Sequence, residues 1–104
     1  MEKQHFQWTK GCDPFDGTPR YSFEGRDPSV TVSAIGVVIT SERRRKYAHD
    51  PKSNKLFYTG YVCHREKESA DYTKEYEHLK DCKAATEALF QVYCQAYPDD
   101  TKAY

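Results

Sequence analysis

Cys63, His64, His78 and Cys82 are of the types that bind transition metals or carry out nucleophilic chemistry, and they fall within twenty residues of one another. Zinc takes thiolates and imidazoles, and His78 and Cys82 stand one helical turn apart if that stretch is helical. Cys63, His78 and Cys82 are therefore the ligands a zinc ion would use, yet no C-x-x-C pair accompanies them and the plainer reading is core thiols with two surface imidazoles. Cys63 and His64 make a poor nucleophile and base, since adjacent residues of a strand point to opposite faces. Glu66, Glu68, Glu75 and Glu77 lie in a charged segment without the apolar surroundings that tune a carboxyl for acid catalysis. Neither a phosphate-binding glycine loop nor H-E-x-x-H occurs. The expectation is a protein that is not an enzyme and holds no metal or other cofactor.

One dense charge cluster remains, Arg43-Arg44-Arg45-Lys46, followed by Tyr47, His49, Lys52 and Lys55. The planar arginine fork suits bidentate contacts and Tyr47 can stack, so Arg43, Arg44, Arg45, Lys46, Tyr47 and Lys52 are candidate contacts to an acidic protein partner or to nucleic acid. A solvated loop whose charges guard neighbouring strand edges would have the same composition. Tyrosines are nine in number and crowd the second half of the chain. Because tyrosine buries area at low entropic cost, Tyr21, Phe57 and Tyr61 are candidates for an aromatic surface on an uncovered sheet face, open to a partner protein or to a second copy of the chain.

The elements that must position these residues are read from periodicity. Leu79 to Tyr97 is the clearest: Cys82, Ala85, Thr86, Leu89, Val92, Tyr93 and Ala96 follow steps of three and four, with Lys80, Lys83, Glu87, Gln91 and Gln95 opposite. Asp81 favours the helix dipole at its start, and Pro98 ends it before a polar tail, 98–104. Upstream, alternation predicts strands at 4–10, 20–24, 29–40 and 55–64, separated by the Asp-Pro and Asp-Gly turn formers of GCDPFDGTP, by Asp27-Pro28, and by the polar hairpin connection 41–55. In Ser29 to Thr40 the apolar parity slips, Val30, Val32 and Ala34 against Ile35, Val37 and Ile39, which means either a bulge near 34–36 or a central strand apolar on both faces. Gly60 in the last strand invites close backbone approach, and 65–74 reads as a charged turn. The predicted fold is a single α+β domain, an antiparallel meander of about four strands covered on one face by a single C-terminal helix.

At 104 residues there is room for one core only. Mean hydropathy is -0.96, but 14% aromatic residues supply the apolar area that disordered chains lack. Sixteen basic residues balance sixteen acidic ones, which disfavours both a wholesale nucleic-acid binder and a wholesale nucleic-acid mimic. No stretch approaches the about eighteen apolar residues of a membrane span, and the N-terminus has no signal-like apolar region, so a soluble, cytoplasmic protein with free thiols is expected. Cys82 and Cys94 in particular lie about 18 Å apart along one helix, too far to bridge.

The strand KLFYTGYV running through a polar stretch into EHLKDCKAATEALFQVY, with Trp8 near the N-terminus, resembles small phage and prophage proteins. Their final helix opens on a motif matched here by Leu79, Cys82, Lys83, Ala84 and Ala85. Among such proteins are anti-CRISPR inhibitors, which bind rather than catalyse. The resemblance implies a phage-encoded inhibitor that occludes a host protein complex in the host cytoplasm.

Overall fold

β-Branched residues open Ile35–Arg45 (β3), which pairs with Asn54–His64 (β4) in the longest ladder of the molecule. The computed structural model describes residues 8–23 and 35–99. Within them Trp8–Cys12 (β1), Pro19–Phe23 (β2) and Ser69–Tyr76 (β5) complete an antiparallel sheet in the order β1-β2-β3-β4-β5. Strands adjacent in sequence are adjacent in space, and the helix Leu79–Ala96 (α1) packs on one face over β3, β4 and β5. The predicted α+β class and the C-terminal helix are as expected, with five strands in place of about four.

The additional strand is β5, which replaces most of the charged turn expected at 65–74. As an edge strand it exposes Asp71, Lys74 and Glu75, so it has no buried alternation to betray it. Its entry turn is built on His64, whose Nδ1 accepts the backbone N–H groups of Glu66 at 3.3 Å and Lys67 at 3.2 Å. Glu68 completes the reversal in a left-handed conformation, φ 53°. His64 is thus a core residue on the helix side, with the ring of Tyr97 edge-on at 4.5 Å, and not a surface imidazole.

Element boundaries shift in informative ways. β1 runs to Cys12, two residues beyond the predicted 4–10, while residues 4–7 lie outside the described part. β2 matches 20–24 within a residue. β3 continues through Arg45 and β4 begins at Asn54, so nearly half of the expected loop 41–55 is strand and only 46–53 connects the two. Ile35 to Ile39 pair regularly with His64 to Gly60, so no bulge occurs from Ile35 onward; residues 29–34 lie outside the described part. The irregularity is instead between β4 and β5, where the register shifts between Thr59 and Tyr61 and two residues of β5 oppose Gly60.

Gly60 also fixes how α1 sits. A Cβ built there would lie 2.9 Å from Thr86 Cβ and 3.0 Å from Thr73 Cγ2, so the helix descends to the strand backbone at this point. The Thr86 hydroxyl donates to Cys82 O at 2.7 Å within its own helix. This contact turns the buried stripe to Cys82, Thr86, Phe90 and Tyr93. Val92 and Ala96, predicted on the stripe, are solvent-facing, Val92 at 58% exposure. Phe90 takes the core position among Ile35, Val37 and Val62, and Cys94 packs at the margin of that cluster. At the far end of the helix the Tyr93 hydroxyl donates to Asp71 Oδ2 at 2.7 Å and meets Ser69 Oγ at 3.2 Å, fastening α1 to β5. Trp8 reaches the helix from β1, its Nε1 donating to Glu87 Oε1 at 2.9 Å.

Candidate functional site

Strand alternation divides the basic cluster. Leu79, Tyr58 and Tyr76 pack against one buried cluster of Tyr21, Ile39 and Cys82, so α1 begins near the Ser41–Tyr58 pair and the ladder beyond it, Glu42–Arg45 with Asn54–Phe57, projects past the helix. Arg44 points to the face away from α1. There it forms a bidentate pair with Glu75, one bond at 2.6 Å, reaches Glu42 Oε2 at 3.1 Å, and lies 4.1 Å above the ring of Phe57. The hydrogen bonds to Glu75 raise the guanidinium pKa, and Arg44 in turn lowers that of Glu75. Lys46 Nζ is 2.8 Å from Glu77 Oε1, with Lys55 at 3.8 Å from the same oxygen. The Lys46 contact lowers the pKa of Glu77. Arg44 is thus matched by Glu42 of β3 and Glu75 of β5, and Lys46 and Lys55 by Glu77 just past the end of β5, pairings the sequence reading missed because β5 was not expected there.

Arg43 and Arg45 fall on the other face of the projecting ladder, where Arg43 is opposite Leu56 and Arg45 donates to Ala48 O at 3.3 Å. No carboxylate among the described residues pairs with them or with Lys52. The tip is closed by hydrogen bonds of its own rather than left as an open basic loop. Ser53 Oγ accepts the Tyr47 N–H and bonds to the carbonyls of Tyr47 and Asp50, while Asp50 caps the short 3-10 turn Pro51–Ser53. Tyr47, His49 and Lys52 project from it into solvent.

The predicted aromatic surface is also divided. Tyr21 pairs with Ile39 on the helix side and is buried there beside Cys82, with Lys83 Nζ 5.1 Å from its ring. It is therefore not part of an exposed face. Phe57 is on the opposite face but lies buried beneath Arg44. Tyr61 shares that face and packs on Tyr72 of β5 at 4.8 Å between centroids. Val38, Thr40, Thr59, Tyr61 and Tyr72 line a shallow depression of about 230 Å³. No described element covers it, and Tyr72, absent from the predicted set, is 69% exposed at its edge.

The candidate zinc set does not assemble. Cys63 is on the face away from α1, Cys82 is buried beneath the helix, and His78 is the exposed residue preceding it. Burial raises the Cys82 thiol pKa and keeps it protonated. No group of three potential ligands occurs among the described residues. His64 cannot serve Cys63 either, since the two face opposite sides of β4 and Nδ1 is occupied by the turn. No helix among the described residues is long and apolar enough to cross a membrane.

The β1–β2 connection was expected only as a turn, and its structure is more specific. Asp13 N donates to Thr18 O at 2.8 Å and Gly17 N to Asp13 O at 2.9 Å, with Gly17 at φ 73°. Asp13 Oδ1 accepts the N–H groups of Phe15 and Asp16, and Asp13 Oδ2 binds Arg20 at 3.1 Å. At its apex Phe15 is 96% exposed. The sequence signal was present in Asp-Pro-Phe-Asp-Gly, in which an aromatic sits between turn formers. No protein-family model matches the chain, and no curated protein or solved structure matches it.

Proposed function

We propose that this chain is a non-enzymatic binding protein, phage-encoded and acting in the host cytoplasm, that inhibits a host protein complex by covering one of its working surfaces. The observation that carries the reading is the sheet face opposite α1, where Tyr72 and Tyr61 flank an open depression floored by Val38, Thr40 and Thr59. Exposed tyrosines over small β-branched residues give contact area with little ordering cost, as protein interfaces require. The test is affinity capture of the nuclease-treated complex from host lysate with the native chain and with Tyr72→Arg. A stoichiometric protein retained by the first and lost with the second, at equal thermal stability, is expected. Absence of any stoichiometric protein overturns the proposal.

A second reading, a nucleic-acid-binding module, draws on Arg43, Arg45 and Lys52, which stand outside the ion pairs, and on Tyr47, exposed beside them. It requires an affinity for single- or double-stranded DNA or RNA that falls steeply with salt and weakens when the three cations become Ala. Binding that is indifferent to salt, or no binding, removes it.

A further inference from the structure

Phe15 is the most exposed of the large apolar side chains among the described residues, so its ring adds almost nothing to their packing. The turn nevertheless spends its polar groups on holding it there. Asp13 closes the loop through backbone bonds to Gly17 and Thr18 while its carboxylate takes the Phe15 and Asp16 N–H groups, and Asp16 Oδ1 takes the Thr18 N–H at 2.9 Å and hydroxyl at 2.7 Å. Gly17, at φ 73°, supplies the one backbone conformation in the loop that most residues resist. With the turn backbone held in advance, only the two side-chain torsions of Phe15 remain to be ordered on insertion into a pocket, a low cost for an interface anchor.

We infer that Phe15 is a docking anchor that inserts into an apolar pocket, rimmed by Lys or Arg, on the partner protein. Charge sets the rim. Of the two carboxylates flanking the ring, that of Asp13 is matched by Arg20 at 3.1 Å, whereas Asp16 has no cation in contact among the described residues and is exposed. The Thr18 hydroxyl bond lowers the Asp16 pKa and keeps the group ionised. The inference rests on the protein-binding reading above and adds a contact site separate from the sheet face.

The test places p-benzoylphenylalanine at position 15 in one chain and at position 72 in another. Each is irradiated in host lysate, and the cross-linked peptides are sequenced. The expected result is one protein cross-linked from position 15 through a peptide bearing apolar residues beside Lys or Arg. For that purified protein, Phe15→Ala then weakens affinity by roughly 30-fold, the loss typical of a central aromatic anchor. Asp16→Lys weakens it as well, and both variants keep the native melting temperature. Capture from position 72 alone, with Phe15→Ala binding as tightly as the native chain, overturns the anchor and leaves the protein-binding reading standing. A cross-link only to another copy of this chain overturns the assigned partner, and no cross-link from either position overturns both.

Discussion

Gly60→Ala isolates the contact on which the helix–sheet geometry rests. The Gly60 backbone is ordinary strand, so alanine meets no conformational penalty and, with free space, would stabilise the chain by about 0.4–1 kcal/mol through loss of unfolded-state entropy. The space is occupied. The new Cβ would fall 2.9 Å from Thr86 Cβ, and rotating the Thr86 side chain cannot relieve a contact to the atom anchored on its own backbone. The helix must lift by several tenths of an ångström, drawing Phe90 and Cys82 away from Ile35 and Ile39. Overpacking of this kind costs about 1–3 kcal/mol, out of a total of about 5–15 kcal/mol for a chain of this length. In urea, with a slope of about 1–3 kcal/mol per M, the midpoint should fall by on the order of 1 M, followed through the fluorescence of Trp8, the single tryptophan. Gly36→Ala is the control, because its Cβ would meet only the ends of the Cys63 and Arg65 side chains, at 3.1 and 3.3 Å. Thr86→Gly in the Gly60→Ala background should recover part of the loss despite its cost of about 1 kcal/mol in the helix. A Gly60→Ala protein as stable as the native one, or more so, refutes the close approach.

Other consequences follow from the same geometry. Phe90→Ala should cost about 3–5 kcal/mol and Val92→Ser less than about 0.5 kcal/mol by chemical denaturation; equal losses would place the helix in the rotation predicted from sequence. The pKa of Glu75, held down by Arg44, and of Glu77, held down by Lys46, lie below the ordinary value of 4.5, so their contribution to stability is complete above that pH and is lost as pH falls through the lowered values. Glu75→Gln should accordingly flatten the decline of stability measured from pH 5 to pH 3. Burial raises the Cys82 and Tyr93 pKa above 9.0 and 10.0, so stability should hold below pH 9 and decline as pH rises through the folded-state values. Tyr93→Phe should lose about 1 kcal/mol at neutral pH with the bond to Asp71, and show a smaller alkaline decline in urea titrations.

The helix was legible because one stretch carries an apolar period for eighteen residues and is closed by Pro98. Its rotation was not. Leu89, Phe90, Val92 and Tyr93 offer two overlapping stripes, and the choice between them is made by Thr86 seating on Gly60, a contact between residues 26 apart in the chain. β5 was hidden because an edge strand need bury only one side, and Asp71, Lys74 and Glu75 read as turn residues until Arg44 and Tyr93 are seen to bind two of them. That strand is also why the basic cluster looked more available than it is. Alternation along β3 sends Arg44 toward Glu75 and Arg43 and Arg45 the other way, whereas a loop would have presented all three together. Tyr21 failed as a surface residue for a related reason, since its face is decided by pairing with Ile39, far along the chain.

The position of the β1–β2 turn bears on which class of partner fits. Ser41 Oγ donates to Pro19 O at 2.5 Å, so this turn lies beside the half of the β3–β4 hairpin that projects past α1. One end of the sheet therefore offers Phe15 with an ionised Asp16 next to a hairpin end bearing Arg43, Arg45, Tyr47 and Lys52. A nucleic acid presents uniform negative charge, which would welcome the tip and repel the turn, and it has no apolar pocket for a ring held clear of the surface. A protein surface can set an acidic strip beside a basic, apolar hollow and match both fingers at once. Charge reversal at the two places then separates the partners. Against a nucleic acid, Asp16→Lys should tighten binding and Arg45→Glu weaken it, whereas against a protein matched to both fingers each reversal should weaken it.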